Sequence, residues 1–137
     1  MEGKMTAEEG LSVVQRCFDA LAKQDADALC ANYTEDYVLE LPYFKPNEPL
    51  VVEGRENVRA YLGNFLPIQQ MNLSFTEHRW VEEEQLIIAE YVSEGRFLDT
   101  GEAYANNYVG YWYMRDGKLC RLREYYNPQA PRASAID

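Results

Sequence analysis

Two carboxylates stand out as groups able to move protons. Glu124 lies in the run Leu119-Cys120-Arg121-Leu122-Arg123-Glu124-Tyr125-Tyr126. Period-2 alternation there puts Cys120, Leu122, Glu124 and Tyr126 on one strand face and Arg121 and Arg123 on the other. The first face is mostly apolar, so it turns inward and takes Glu124 with it. A carboxylate drawn out of water is harder to ionise, and its pKa climbs toward the range useful for acid–base catalysis. The competing reading is a surface Glu124 paired with Arg121 or Arg123. Glu40 is the second candidate. It interrupts Val38-Leu39-Glu40-Leu41-Pro42, an apolar strand where a lone carboxylate must be paired, protonated or touching pocket water. If the two converged they would repel, and one would keep its proton at neutral pH, giving one general acid and one general base. A solvated Glu40 at a sheet edge is the alternative.

The residues expected to bind a substrate surround these acids. Tyr104, Asn106, Tyr108 and Trp112 share one face of a later strand, a mixed aromatic and polar stripe suited to stacking and orienting a ligand. Tyr91 alternates inward with Ala89 and Ser93, while Glu90, Glu94 and Arg96 point outward. Phe18 and Tyr61, from two helical stripes, complete the set. No metal site is expected: Cys17, Cys30 and Cys120 are scattered and His78 is the single histidine. His78 reads as a half-exposed strand residue and Trp80 as core. The acid–base chemistry needs no cofactor, and none is expected.

These side chains must be held by a chain of 137 residues with a formal charge of -10. That charge argues against nucleic acid and against anionic membrane surfaces, both of which call for clustered Lys and Arg. No apolar run approaches the roughly 20 residues of a membrane helix. The start, MEGKMTAEEG, has no apolar stretch of a secretory leader. Free thiols and this start together predict a cytoplasmic protein.

Helices come first. Thr6 with Glu9 forms a capping box, and Leu11, Val14, Phe18 and Leu21 recur at helical spacing, so a helix runs over Thr6–Gln24. Asp25 caps a short second helix with Leu29, Cys30 and Tyr33 inward. A strand follows over Tyr37–Phe44, then a loop with Pro46, Pro49 and Gly54. A third helix spans Arg55–Leu66 on Val58, Tyr61, Leu62 and Phe65, stopped by Pro67. Met71–Val81, Leu86–Leu98, Ala103–Met114 and Leu119–Tyr126 read as strands, separated by Glu82-Glu83-Glu84, Thr100-Gly101 and Asp116-Gly117. The order is that of an α+β layer fold with a long antiparallel meander. One domain is expected over residues 1–128, with a flexible tail over 129–137. On the outward face of the Ala103–Met114 strand, Val109, Tyr111 and Tyr113 carry no charge, which predicts a homodimer through the sheet.

The C-terminal half carries a pattern: Thr100-Gly101, Tyr104, Asp116-Gly117-Lys118, then Arg123-Glu124-Tyr125-Tyr126-Asn127-Pro128. It resembles the SnoaL-like branch of the nuclear transport factor 2-like superfamily, which includes limonene-1,2-epoxide hydrolase, the phenazine-biosynthesis A/B proteins and ketosteroid isomerase. The resemblance implies three N-terminal helices packed on a strongly curved, mostly antiparallel sheet that forms a cone-shaped pocket. It also implies a catalytic acid at Glu124 and a pocket group at Glu40. The departures are as informative. Cys17, Leu41 and Val109 stand where ketosteroid isomerase would have its tyrosine, base and second acid. Tyr91 and Ser93 replace the Arg and second Asp of the epoxide hydrolase, and Val38 and Glu40 replace its water-holding pair. The expectation is a cofactor-free isomerase, cyclase, dehydratase or hydrolase for a small apolar oxygenated molecule. The alternative is a non-catalytic ligand-binding or dimerisation domain.

Overall fold

The Thr6 hydroxyl accepts from the Glu9 amide at 3.2 Å while Glu9 Oε1 accepts from the Thr6 amide at 2.9 Å. This reciprocal cap starts helix α1, Ala7–Ala22, whose inner stripe buries Val13, Val14, Cys17 and Phe18. Asp25 caps α2, Ala26–Cys30, through the Ala28 amide. Helix α3, Arg55–Leu62, ends four residues before the periodicity predicts, and Phe65 and Leu66 continue in hydrogen-bonded turns. These elements come from a computed structural model that describes residues 4–45 and 47–128. The expected tail over 129–137 lies outside the described residues.

The strands are β1 Tyr33–Lys45, β2 Glu48–Glu53, β3 Gln69–Val81, β4 Leu86–Phe97, β5 Ala103–Arg115 and β6 Lys118–Tyr126. They form one sheet in the order β2-β1-β6-β5-β4-β3. Neighbours are antiparallel except β1 and β6, which run parallel. The architecture is thus the expected α+β one, with one strand more. The stretch read as a loop around Pro49 is strand β2, paired with β1 from Val38 opposite Glu53 to Leu41 opposite Leu50. Pro49 hid it, yet β2 is an edge strand, where a missing N–H costs no ladder bond. The Asp116-Gly117 hairpin turn is present, with positive φ at both residues (53° and 81°).

The sheet is bent strongly enough to face itself. β1 and β3 stand four places apart in the strand order, yet Leu39 and Leu41 of β1 and Met71 and Leu73 of β3 border one cavity. At the bend β4 closes on β3 so tightly that a Cβ on Gly95 would run into the Gln70 carbonyl. The three helices lie across the concave face and bury the core there, around Val14, Phe18, Tyr37, Val58, Tyr91 and Leu119. Among the described residues, no helix is long and apolar enough to cross a membrane.

Candidate active site

Between the helices and the concave face lies a cavity of about 270 Å³. Its wall is almost wholly apolar and aromatic, with contributions from α1 (Cys17, Leu21), α3 (Tyr61, Leu62) and the inner rows of β1, β3, β5 and β6. Among the described residues that line it, Glu124 is the one carboxyl, and there is no Lys, Arg or His.

Glu124 faces inward because β6 alternates as the sequence predicts from Leu122 onward. Leu122, Glu124 and Tyr126 line the cavity, and Arg121 and Arg123 are on the outer face. There Arg121 pairs with Glu40, and the Arg123 guanidinium lies over Tyr111 at 4.7 Å and donates to the Tyr113 hydroxyl at 3.3 Å. Neither arginine reaches Glu124. The alternation fails at Cys120, where the β5–β6 register slips between Tyr113 and Met114, so that Leu119, not Cys120, fills the core.

The Tyr91 hydroxyl donates to Glu124 Oε2 in a short hydrogen bond, leaving Oε1 for the cavity. Tyr91 is 1% exposed. Its ring is wedged between Tyr108 (5.1 Å), Phe18 (5.3 Å) and Trp112 (5.7 Å), so its hydroxyl has little freedom to leave the carboxyl. The space for it is made by Gly110, which stands opposite Glu124 in the register. A Cβ at that position would lie 2.6 Å from the Tyr91 hydroxyl and closer still to Trp112 Nε1. Glycine is therefore required there by close approach, with no unusual backbone angle involved.

Burial raises the Glu124 pKa to about 7, and the Tyr91 hydrogen bond works in the opposite direction by favouring the ionised form. At neutral pH the carboxyl is poised between its two states. The surrounding phenols move the other way from usefulness as bases: burial, with the Glu124 charge adding to it, raises Tyr61 and lifts Tyr126 to about 12. They stay neutral O–H donors.

The structure thus brings Glu124, Tyr104, Tyr108, Trp112 and Tyr61 to one cavity. Tyr91 and Phe18 lie behind its wall, the first holding Glu124 and the second holding Tyr91 and Trp112. Asn106 also serves the wall from behind. Its Nδ2 donates to the Tyr104 hydroxyl at 2.8 Å and to the Asn127 carbonyl at 3.0 Å. Tyr108 is tied to Ser93 at 2.6 Å. Glu40 is not brought to the site. On β1 the inward row is Tyr37, Leu39 and Leu41, so Glu40 has the opposite parity and meets Arg121 on the outer face. The expected pair of converging carboxylates is a single one. His78 is exposed, with its ring edge-on to Phe75 at 5.3 Å.

Two residues the sequence reading passed over belong to this site. Gly110 is one. The other is Tyr37, whose hydroxyl is sealed beneath the cavity with no hydrogen-bond partner, as is Trp112 Nε1. Tyr33 stacks on Tyr37 at 3.8 Å between centroids, without giving that hydroxyl an aligned partner. The inward parity of Tyr37 with Leu39 and Leu41 was the available signal.

The SnoaL-like domain profile matches residues 14–122. This chain belongs to the SnoaL-like domain family. A PhzA/B-like protein of Pseudomonas aeruginosa is 29% identical over 110 residues, covering 79% of this chain and 77% of that one. A proposed isomerase of Bacillus subtilis superposes with a TM-score of 0.81 at 24% identity, over 90% of this chain and 89% of its own. An epoxide hydrolase of Mycobacterium tuberculosis, like the limonene enzyme, superposes with a TM-score of 0.74 at 15% identity, over 90% and 86%. At such identities these solved structures establish the shared SnoaL-like fold.

Two outcomes follow from the buried groups. Between pH 4.5 and about 7 the folded protein keeps a proton on Glu124 that the unfolded chain releases. Stability therefore falls as pH rises through that window, and the full cost stands above it. Glu124→Gln removes the cost. Relative to the parent, its thermal stability should gain up to about 3 kcal/mol more at about pH 8 than at about pH 4.5. Equal differences at the two pH values would contradict the assignment. Tyr37→Phe deletes a sealed, unpaired hydroxyl and should leave stability unchanged or raise it by about 1 kcal/mol in urea melts. A clear loss would mean that the hydroxyl has a partner.

Proposed function

We propose that this protein is an acid–base enzyme for a small, apolar, oxygenated molecule, with Glu124 as its proton-transfer group. The observation that carries the reading is one carboxyl, raised to about 7 by burial, fixed by Tyr91 and open through Oε1 to a cavity of about 270 Å³. A single acid that is half ionised at working pH suits a shuttle. Oε1 takes a proton from the carbon between a carbonyl and a carbon–carbon double bond. The C–H electron pair becomes a new carbon–carbon double bond and the carbonyl π pair moves onto the oxygen, giving a dienolate. The same proton then returns to the far carbon of that dienolate as the oxygen's pair re-forms the carbonyl, giving an isomer with no atom gained or lost. Cyclisation, dehydration or water addition can use the same carboxyl as acid or base. A positioned group of this kind contributes roughly 10²- to 10⁴-fold in rate. Similar chains carry names from this range of chemistry, isomerase and epoxide hydrolase among them. The free thiols of Cys17, Cys30 and Cys120 fit a cytoplasmic setting.

The outer face supports a homodimer. Val109, Tyr111, Tyr113 and Tyr125 are half-buried there, Tyr43 is 56% exposed, and Arg123 Nε is buried without a partner. Aromatic residues with an arginine are what an interface centre favours. If this face is the protein's main purpose, the protein is a dimerisation or ligand-binding domain without catalysis.

Deuterium incorporation separates the two readings. In heavy water the protein should exchange the α-hydrogens of at least one cyclic ketone from a panel, and Glu124→Gln should lose roughly 10²- to 10⁴-fold of that rate while remaining folded. A Glu124→Gln rate equal to the parent's, or no exchange with any ketone, would favour the non-catalytic reading. For the dimer, size-exclusion with light scattering should give twice the chain mass, and Tyr111→Glu should give the single-chain mass. A monomeric parent would reject the interface.

A further inference from the structure

The tyrosines in and behind the cavity wall differ: Tyr33 and Tyr37 are stacked on each other and at most 5% exposed. Tyr91 is committed to Glu124, Tyr104 accepts from Asn106, and Tyr108 is bonded to Ser93. Tyr61 and Tyr126 also line the cavity and are half-buried, and no group among the described residues hydrogen-bonds to either hydroxyl. They reach it from two directions, Tyr61 from α3 and Tyr126 from β6. Tyr126 follows Glu124 by two residues on the same strand face, which sets their Cα atoms about 7 Å apart along β6. Both phenols stand close enough to Glu124 for its charge to add to the effect of burial on them. Two half-buried phenols without a protein partner thus flank one carboxyl in a cavity whose wall is otherwise mostly apolar and aromatic, Gln69 being the one amide among the described residues on it.

We propose that Tyr61 and Tyr126 form an acceptor-oxygen subsite, and that the ligand is an uncharged one- or two-ring ketone. Its carbonyl oxygen has two lone pairs and takes a hydrogen bond from each hydroxyl, and its neighbouring carbon then faces Glu124 Oε1. The assignment deepens the acid–base reading above and rests on it for the role of Glu124. Size follows from the cavity: about 270 Å³ is the room of about nine water molecules at roughly 30 Å³ each, enough for one or two rings. Charge follows from the wall. Among the described residues no cation lines the cavity to pair with a carboxylate or phosphate, and an ionised Glu124 repels one. Tyr108 and Tyr126, with centroids 6.2 Å apart, offer ring faces to a flat ligand.

Three probes of one shape class test this by calorimetry at about pH 8, above the Glu124 pKa. They are 2-tetralone, tetralin (the same bicycle without oxygen) and 2-naphthoate. We expect 2-tetralone to bind about 10-fold or more tightly than tetralin, since two hydrogen bonds of roughly 3- to 10-fold each are at stake. Tyr61→Phe and Tyr126→Phe should each remove roughly 3- to 10-fold of that preference and leave tetralin binding unchanged. A purely structural role would weaken both probes together. Equal binding of tetralone and tetralin, a preference untouched by both variants, naphthoate binding as tight as tetralone, or no binding of any probe would each overturn the proposal. The same titration in Glu124→Gln distinguishes the two claims. A tetralone preference that survives there while deuterium exchange is lost supports both. A preference that survives with exchange unaffected sinks only the catalytic role of Glu124.

Discussion

The structure turns on one carboxyl held away from water. Glu124 sits on a wall of mostly apolar and aromatic side chains, and among the described residues its only hydrogen bond is accepted from Tyr91. Everything near it serves that arrangement. Gly110 clears the volume for the Tyr91 hydroxyl and the Trp112 indole, and Phe18, Tyr108 and Trp112 fix the Tyr91 ring. The arginines on either side of residue 122 are turned outward by strand parity and spent on Glu40 and on the outer tyrosines. Had either reached Glu124, the Coulomb attraction would have returned the acid to its ordinary range and left nothing poised near neutrality.

That arrangement is costly to the fold. A carboxyl with one hydrogen bond and no cation beside it, a sealed Tyr37 hydroxyl and a sealed Trp112 N–H lie within one region. Each unpaired buried polar group costs on the order of 1–3 kcal/mol. A sequence selected for stability alone would place Phe, Leu or a paired acid at these positions. Proteins give up local consistency mainly where function needs it, and here the inconsistencies cluster at one wall of one cavity while the rest of the core is regular. The helices and sheet must supply the difference. They do so through the packing of α1 on the concave face and through the length of the β3–β4–β5 ladder.

Much of this was legible beforehand, and the failures share a cause. The capping box at Thr6, the Asp116-Gly117 turn and the inward parity of Glu124 are local rules, and they hold. Glu40 failed because its apolar neighbours fit either face. Leu39 and Leu41 face the core while Val38 and Glu40 pack outward, and the partner that decides it, Arg121, comes from a strand 81 residues away. β2 was missed because Pro49 signals a loop unless the strand is known to be an edge. Cys120 was misplaced because a register slip is invisible to a period-2 count. Gly110 and the orphan status of Tyr37 depend wholly on side chains arriving from other strands.

The departures from the better-known members of the superfamily follow from the same geometry. Where the resemblance to limonene-1,2-epoxide hydrolase implies an arginine and a second acid, this chain has Tyr91 and Ser93, and both are already hydrogen-bonded, to Glu124 and to Tyr108. Charge is thereby removed from the wall and replaced by phenols too weakly acidic to ionise. A charged partner would set the Glu124 pKa by Coulomb attraction or repulsion, which changes when either group titrates or a charged ligand enters. A phenol that keeps its proton sets it by one hydrogen bond of constant sign, so the acid responds chiefly to how dry the cavity is. A ligand that fills the cavity and expels water raises the pKa further and favours the protonated acid. One that leaves water beside Oε1 favours the base. The protonation state of Glu124 is in this design set by how completely a molecule in the cavity displaces water from it.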